Sequence, residues 1–194
     1  NLNIQALEES KNNYLMCIAY MEEKIGISVV DALTGDYYVT EVSDVKKLQD
    51  EIIKFMPSEI VCNDNFLVSG YMVDDLKERF GITIYKLDAW YFDEINCQQL
   101  LMKHFHVGTM TALGVDDFSA GQIAAGAVLQ YLYETQKTGI SNITRLNPYV
   151  ASKYMLLDSA TRRNLELTET LREKMKRGSL LWVLDKTKTA MGAR

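Results

Sequence analysis

The stretch from Ser119 to Gln136, SAGQIAAGAVLQYLYETQ, constrains the fold more than any other. Ala120, Ile123, Ala124, Ala127, Val128, Tyr131 and Leu132 recur at helical spacing and make one broad apolar stripe. Ala124, Ala125, Gly126 and Ala127 carry almost no side-chain bulk, so a sheet or a second helix can approach that face closely. Ser119 with Gln122 three residues on reads as a capping box, hydroxyl and amide each satisfying a free backbone N–H. Lys137 suits the negative end of the helix dipole, and Gly139 is expected to supply a left-handed stop. The residues before this helix read as α/β and those after it do not, which makes it the seam of the molecule.

Asn1 to Asn13 is polar and acidic, like a linker or leading tail. Three strands follow at Tyr14 to Met21, Ile25 to Ala32 and Tyr37 to Val42, separated by turns at Glu22–Lys24 and Leu33–Asp36, which predicts an antiparallel meander. The rhythm then changes. Ser43 or Asp44 caps a helix with Val45, Leu48, Ile52 and Phe55 on its apolar side, and Pro57 ends it. Ser58 to Cys62 reads as a buried strand, Ser69 to Phe80 as a helix stopped by Gly81, Ile82 to Leu87 as a strand, and Asp93 to His104 as a helix. A meander followed by βαβ units predicts an α/β mixed sheet with flanking helices, the order of the ribonuclease H-like architecture.

From Ile140 onward the pattern is lost. Asn147-Pro148-Tyr149 reads as a turn, Tyr154 to Leu157 as a short strand and Asp158 to Leu165 as a helix; Ser179 to Leu184 and Thr187 to Arg194 read as helix starts. Leu156, Leu157, Leu165, Leu180, Leu181 and Trp182 are too many large apolar groups for so short a partial helical tail to bury alone, so it is expected to open a larger helical domain. Limited proteolysis is expected to cut first between Lys174 and Lys188. The division falls at 1–140 and 141–194.

Charge follows the same division. Residues 1–140 hold ten Lys/Arg against twenty-one Asp/Glu, a net −11, and residues 141–194 hold eleven against five, a net +6. The acidic part is unsuited to wrapping DNA phosphates, which demand cations. Arg162 and Arg163 in the basic tail are candidates for weak phosphate contacts. Cys17, Cys62 and Cys97, widely spaced inside periodic elements, read as reduced core thiols of a cytoplasmic protein. No apolar run reaches the ~18 residues of a membrane span, and no signal peptide is read at the start.

A ribonuclease H-like sheet raises the question of a two-metal nuclease, whose carboxylates include one in the middle of the first strand. Here that strand has no acid before Glu22 in the turn, and Asp31 and Asp36 flank a tight turn that favours Asp for local reasons. His104 and His106 have no cysteine at ligand spacing, so no metal site is expected. No Gly-rich phosphate loop occurs, Asn142-Ile143-Thr144 matches the glycosylation triplet by coincidence, and no nucleophile–base pairing is evident. No catalytic residue is expected.

The tail segments LLDSATRRNLELTETL (Leu156 to Leu171) and SLLWVLDKTKTAMGAR (Ser179 to Arg194) resemble the start of the core, or lever, domain of the MutS family of DNA mismatch-repair proteins. Upstream, GISVVDALTGDYYVTE, LQDEIIKFMPSEIV and AAGAVLQYLYETQ are similar to the MutS connector domain. The resemblance implies a non-catalytic ribonuclease H-like connector at 1–140, relaying signals between mismatch-binding and ATPase domains and offering a docking surface to MutL. It implies that the mismatch-reading Phe-x-Glu, and the Walker motifs that hold ATP and magnesium, belong to other parts of the whole protein, a homodimer on mismatched DNA. No cofactor is then expected in this chain. The segment Cys97-Gln98-Gln99-Leu100 matches the part of the connector associated with MutL docking, so Gln98 and Gln99 carry that role over; spacing alone favours solvent-facing helix residues. A ribonuclease H-like nuclease and an acidic scaffold unrelated to DNA are the alternatives.

Overall fold

Alternating side chains in the meander sort themselves onto two faces, and each face has collected its own helices. A computed structural model, which describes residues 12–69 and 73–151, contains a mixed sheet of six strands in the order β5-β4-β1-β2-β3-β6. Strands β1 (Leu15–Tyr20), β2 (Ile25–Val30) and β3 (Tyr37–Val42) form the antiparallel meander, with Leu15 opposite Val30 and Val30 opposite Tyr37. Strand β4 (Glu59–Cys62) runs parallel to β1, and β5 (Thr83–Lys86) parallel to β4. The two sides are seen at adjacent residues of β3. The Tyr37 hydroxyl donates to the Ala125 carbonyl of α5 (Ser119–Thr135), while the Tyr38 ring packs 5.8 Å from Phe55 of α1 (Val45–Phe55). The two central strands, β1 and β2, are buried along almost their whole length, as a sheet covered on both faces requires.

Helix α1 begins at Asp44, whose carboxylate accepts from the Lys47 N–H at 2.8 Å, and ends at Met56 in the left-handed region. Pro57 follows, where it cannot continue the helix. Between β4 and β5 the expected single helix from Ser69 is instead two: α2 (Asp64–Val68) and α3 (Val73–Phe80). The earlier start follows from Asn63. Its side chain accepts from the Tyr20 N–H at 2.9 Å and donates to the Tyr20 carbonyl at 3.0 Å, clamping the end of β4 beside β1 so that the chain turns at once and buries Phe66.

Helix α5 lies across β1, β2 and β3, and two glycines make that possible. A Cβ on Gly26 of β2 would lie 1.9 Å from the Ala120 carbonyl oxygen, and one on Gly126 would lie 2.3 Å from Cys97 Cβ on α4 (Glu94–Phe105). The small-residue stretch therefore admits the sheet on one side and a helix on the other. The expected capping box does not form. Ser119 is the first helical residue, Phe118 precedes it without a side-chain bond, and the free amides of Ala120 and Gly121 donate instead to Glu41 Oε1 of β3, at 3.1 and 3.3 Å. A carboxylate held by the neighbouring strand outcompetes the hydroxyl because it brings full charge to the positive end of the dipole. The helix ends at Thr135, ahead of Lys137; Gly139, at φ +93°, opens a later 3-10 turn.

Residues 140–149 complete the sheet. Ile143 and Leu146 enter the core under α5, and Asn147-Pro148, expected as a turn, is β6, parallel to β3. The Tyr149 N–H donates to the Val39 carbonyl at 3.0 Å, and Asn147 Nδ2 to that of Tyr37 at 3.1 Å. Pro148 is tolerated because β6 is an edge strand. The elements expected at Tyr154 to Leu157, Asp158 to Leu165, Ser179 to Leu184 and Thr187 to Arg194 lie outside the described residues, as do Trp182 and the phosphate candidates Arg162 and Arg163.

Candidate docking surface

Helix α4 is anchored at both ends before any of its outer face is considered. Asp93 caps it by accepting from the Asn96 N–H at 2.9 Å, and His106 closes it in the left-handed region at φ +57°. Cys97 and Leu101 turn inward against α5, at the Gly126 notch. Burial, reinforced by the charges of Asp93 and Glu94, pushes the Cys97 thiol up to about 12, and burial raises Cys62 to about 12 and Cys17 well above its ordinary value. All three cysteines are free, buried and protonated at neutral pH, which is the state of core thiols.

With the inner face fixed, Ile95, Gln98 and Gln99 share the outer face, since Ile95 lies three and four residues ahead of the glutamines. Ile95 is 63% exposed and Gln99 is exposed; Trp90, in the 3-10 turn leading into the helix, is half-exposed and stacks on Tyr91 at 4.1 Å. Gln98 is only partly exposed. Its Nε2 donates to Gln122 Oε1 of α5 at 2.8 Å, and Gln122 Nε2 in turn donates to the Val115 carbonyl at 2.6 Å. The sequence assigned Gln122 to a cap; in the fold it is 4% exposed and joins the two helices. The signal that could have found it is a glutamine inside a stripe of small apolar residues, since a buried amide must have partners.

The far end of α4 is held by His104. Its Nε2 lies 2.7 Å from the Ile143 carbonyl, which can only accept, so Nε2 donates there, and Nδ1 is hydrogen-bonded to the Tyr133 hydroxyl at 2.5 Å. His104 is thus a tie between α4, α5 and the 140–149 segment, while His106 serves as a cap.

A cleft of about 570 Å³ opens elsewhere, between the starts of β1 and β4 and the end of α5, lined by Leu15, Asp31, Glu59, Tyr131 and Asn142 among others. In open α/β sheets ligand crevices lie at the carboxyl ends of strands; this one touches the amino ends of β1 and β4. Its acids have structural work. Asp31 accepts from Asn12 Nδ2 at 3.0 Å and from the N–H groups of Asn13, Leu33 and Thr34, and Asn12 also reaches Asp36. Glu59 accepts from the Tyr131 hydroxyl at 3.0 Å; with burial the larger cause, that carboxylate helps raise the phenol to about 12. Among the described residues no three His, Cys, Asp or Glu side chains are placed to hold a metal ion, and no helix is long and apolar enough to cross a membrane.

The fold and its surface define an α/β module with a mixed six-strand sheet and, on α4, a firmly seated face that carries an exposed isoleucine, an exposed glutamine and a partly exposed one. A family model described as MutS domain II matches residues 13–144, which takes in strands β1 to β5 and helix α5, and a model described as MutS domain III matches residues 160–194. The chain belongs to the MutS family. It is 58% identical over 194 residues to the DNA mismatch repair protein MutS of Lachnoclostridium phytofermentans, covering 100% of this chain and 21% of that protein. It is 42% identical to the MutS of Ruminiclostridium cellulolyticum over 99% of this chain, and 44% identical to that of Acetivibrio thermocellus over 97%; each time it covers 22% of the relative. The chain spans about a fifth of the length of these curated relatives.

Proposed function

We propose that the chain is the connector module of a DNA mismatch-repair protein, residues 1–140, followed at 141–194 by a linker, whose Asn147-Pro148 still pairs with the connector's sheet, and the first part of the core domain. It relays conformational change between mismatch-binding and ATPase domains and docks MutL through Gln98 and Gln99. The family match and the relatives named as mismatch-repair proteins support the setting. The meander followed by parallel β4 and β5 supports the ribonuclease H-like reading, and the structural employment of Asp31, Asp36 and Glu59 supports a connector without nuclease chemistry. In this reading the chain is not an enzyme and needs no cofactor; ATP, magnesium, mismatched DNA and dimerisation belong to the whole cytoplasmic protein.

The observation that carries the docking reading is the α4 face. Ile95 and Gln99 stand in solvent on a helix locked by Asp93, Gly126 and His104, so the face is presented without an ordering cost at the moment of binding. Biosensor titration of the 194-residue chain with MutL tests it. Q98A and Q99A should each weaken binding about tenfold, as for residues central to an interface. Unchanged affinity in both variants would remove this face from the MutL interface.

A further inference from the structure

We propose that Gln122 is a positioning residue of the docking face: it fixes the Gln98 amide so that Gln98 offers its oxygen outward and receives a hydrogen-bond donor from the partner. The inference rests on the MutL reading for its function and on geometry for its content. The chain of reasoning starts at Val115, which is fully buried and whose carbonyl can only accept; it takes the Phe118 N–H at 2.9 Å and Gln122 Nε2 at 2.6 Å. Gln122 therefore has to turn its NH2 toward Val115, because the flipped amide would set two acceptor oxygens against each other with no proton between them.

That leaves Gln122 Oε1 facing Gln98, where only a donor satisfies it, so Gln98 commits its NH2 inward at 2.8 Å. Each amide has one oxygen end and one nitrogen end, and fixing one end fixes the other. Gln98 keeps for a partner its Oε1 and the second proton of its Nε2, beside the exposed Gln99 and Ile95. A glutamine free in solvent would present oxygen or nitrogen alike. Gln98 holds the two in one fixed orientation, and the chemistry on MutL that matches its Oε1 is a donor: a backbone N–H, or a Lys, Arg, Ser or Thr side chain.

The test combines a free-chain readout with a binding cycle. Isotope-edited NMR of the 194-residue chain should show the Gln98 side-chain amide with two well-separated proton signals and slowed exchange. Q122M, which keeps length and flexibility but neither bond, should collapse them to the values of an exposed glutamine while the thermal melt stays cooperative. Against MutL, Q122M should weaken binding about fivefold, a smaller loss than Q98A because Gln98 remains present but unordered. The double variant Q98A/Q122M should bind no worse than Q98A alone. Gln98 signals unchanged in Q122M, or losses that add in full in the double variant, would overturn the positioning role even if Q98A weakens binding. Q98A and Q99A both binding normally would overturn the docking reading instead, and the NMR result would still decide whether Gln122 orients Gln98. Should Q122M fail to fold, Q122L takes its place in the same measurements.

Discussion

Glu51 shows what a single buried carboxylate contributes here. It is 2% exposed on α1, accepts from the Tyr149 hydroxyl at 2.6 Å and pairs with Lys54 at 3.0 Å, and the Lys54 ammonium lies 5.2 Å from the Tyr149 ring centroid. Burial pushes its pKa above the ordinary 4.5, against the opposing pull of Tyr149 and Lys54. A carboxyl whose folded pKa is raised holds its proton more tightly in the folded state, so its contribution to stability falls as pH rises from 4.5 through the folded value. E51Q keeps an acceptor for Tyr149 and loses the titration. Urea melts from pH 4 to 7 should show the original chain losing stability relative to E51Q as pH rises; parallel curves would contradict the burial argument. Thr40 is the opposite case. Its Oγ1 is buried with no hydrogen-bond partner among the described residues, so T40V should stabilise the chain by about 1 kcal/mol in the same melts.

At the scale of elements, the contact of α4 with α5 decides the orientation of the face proposed to dock MutL. Alanine at Gly126 would set its Cβ 2.3 Å from Cys97 Cβ and 2.6 Å from Cys97 Cα, and the second of these is backbone that cannot rotate away. G126A should therefore cost about 1–3 kcal/mol, by the logic of overpacking. It should also weaken MutL binding by moving Gln98 and Gln99 together, which calorimetry and the biosensor would register in one variant. A full-affinity, full-stability G126A would mean that α4 yields to the added methyl. The cap of α5 is the second element-level device. E41A removes the carboxylate from the Ala120 and Gly121 amides and should cost about 0.5–2 kcal/mol on thermal unfolding, whereas S119A should change little, since Ser119 caps nothing.

For the whole molecule, charge sets the expectation toward DNA. A net −11 over residues 1–140 repels phosphate and a net +6 over 141–194 attracts it, so any duplex binding should be weak, steeply salt-dependent and blind to mismatches. Fluorescence anisotropy with matched and mismatched duplexes at physiological salt should give the same negligible signal for both. A clear preference for the mismatch would place mismatch reading inside this chain.

The sequence by itself determined strands β1 to β5, the cap at Ser43 or Asp44 and the small-residue helix, because these depend on side chains within a few positions of one another. An apolar run, β-branched residues and an alternating stretch gave β1, β2 and β3 within two residues, and the Gly126 notch was legible as missing bulk before its neighbour was known. Tertiary structure decided what depends on partners distant in the chain. Glu41 caps α5 from 79 residues away, Asn147 joins β3 from 110, and Gln98 finds Gln122 across 24. Local rules assigned Ser119, the Asn147-Pro148 turn and the Gln122 cap from their neighbours alone. A free amide takes the strongest acceptor that the fold brings within hydrogen-bond reach, and only the closed sheet with its helices in place fixes which one that is.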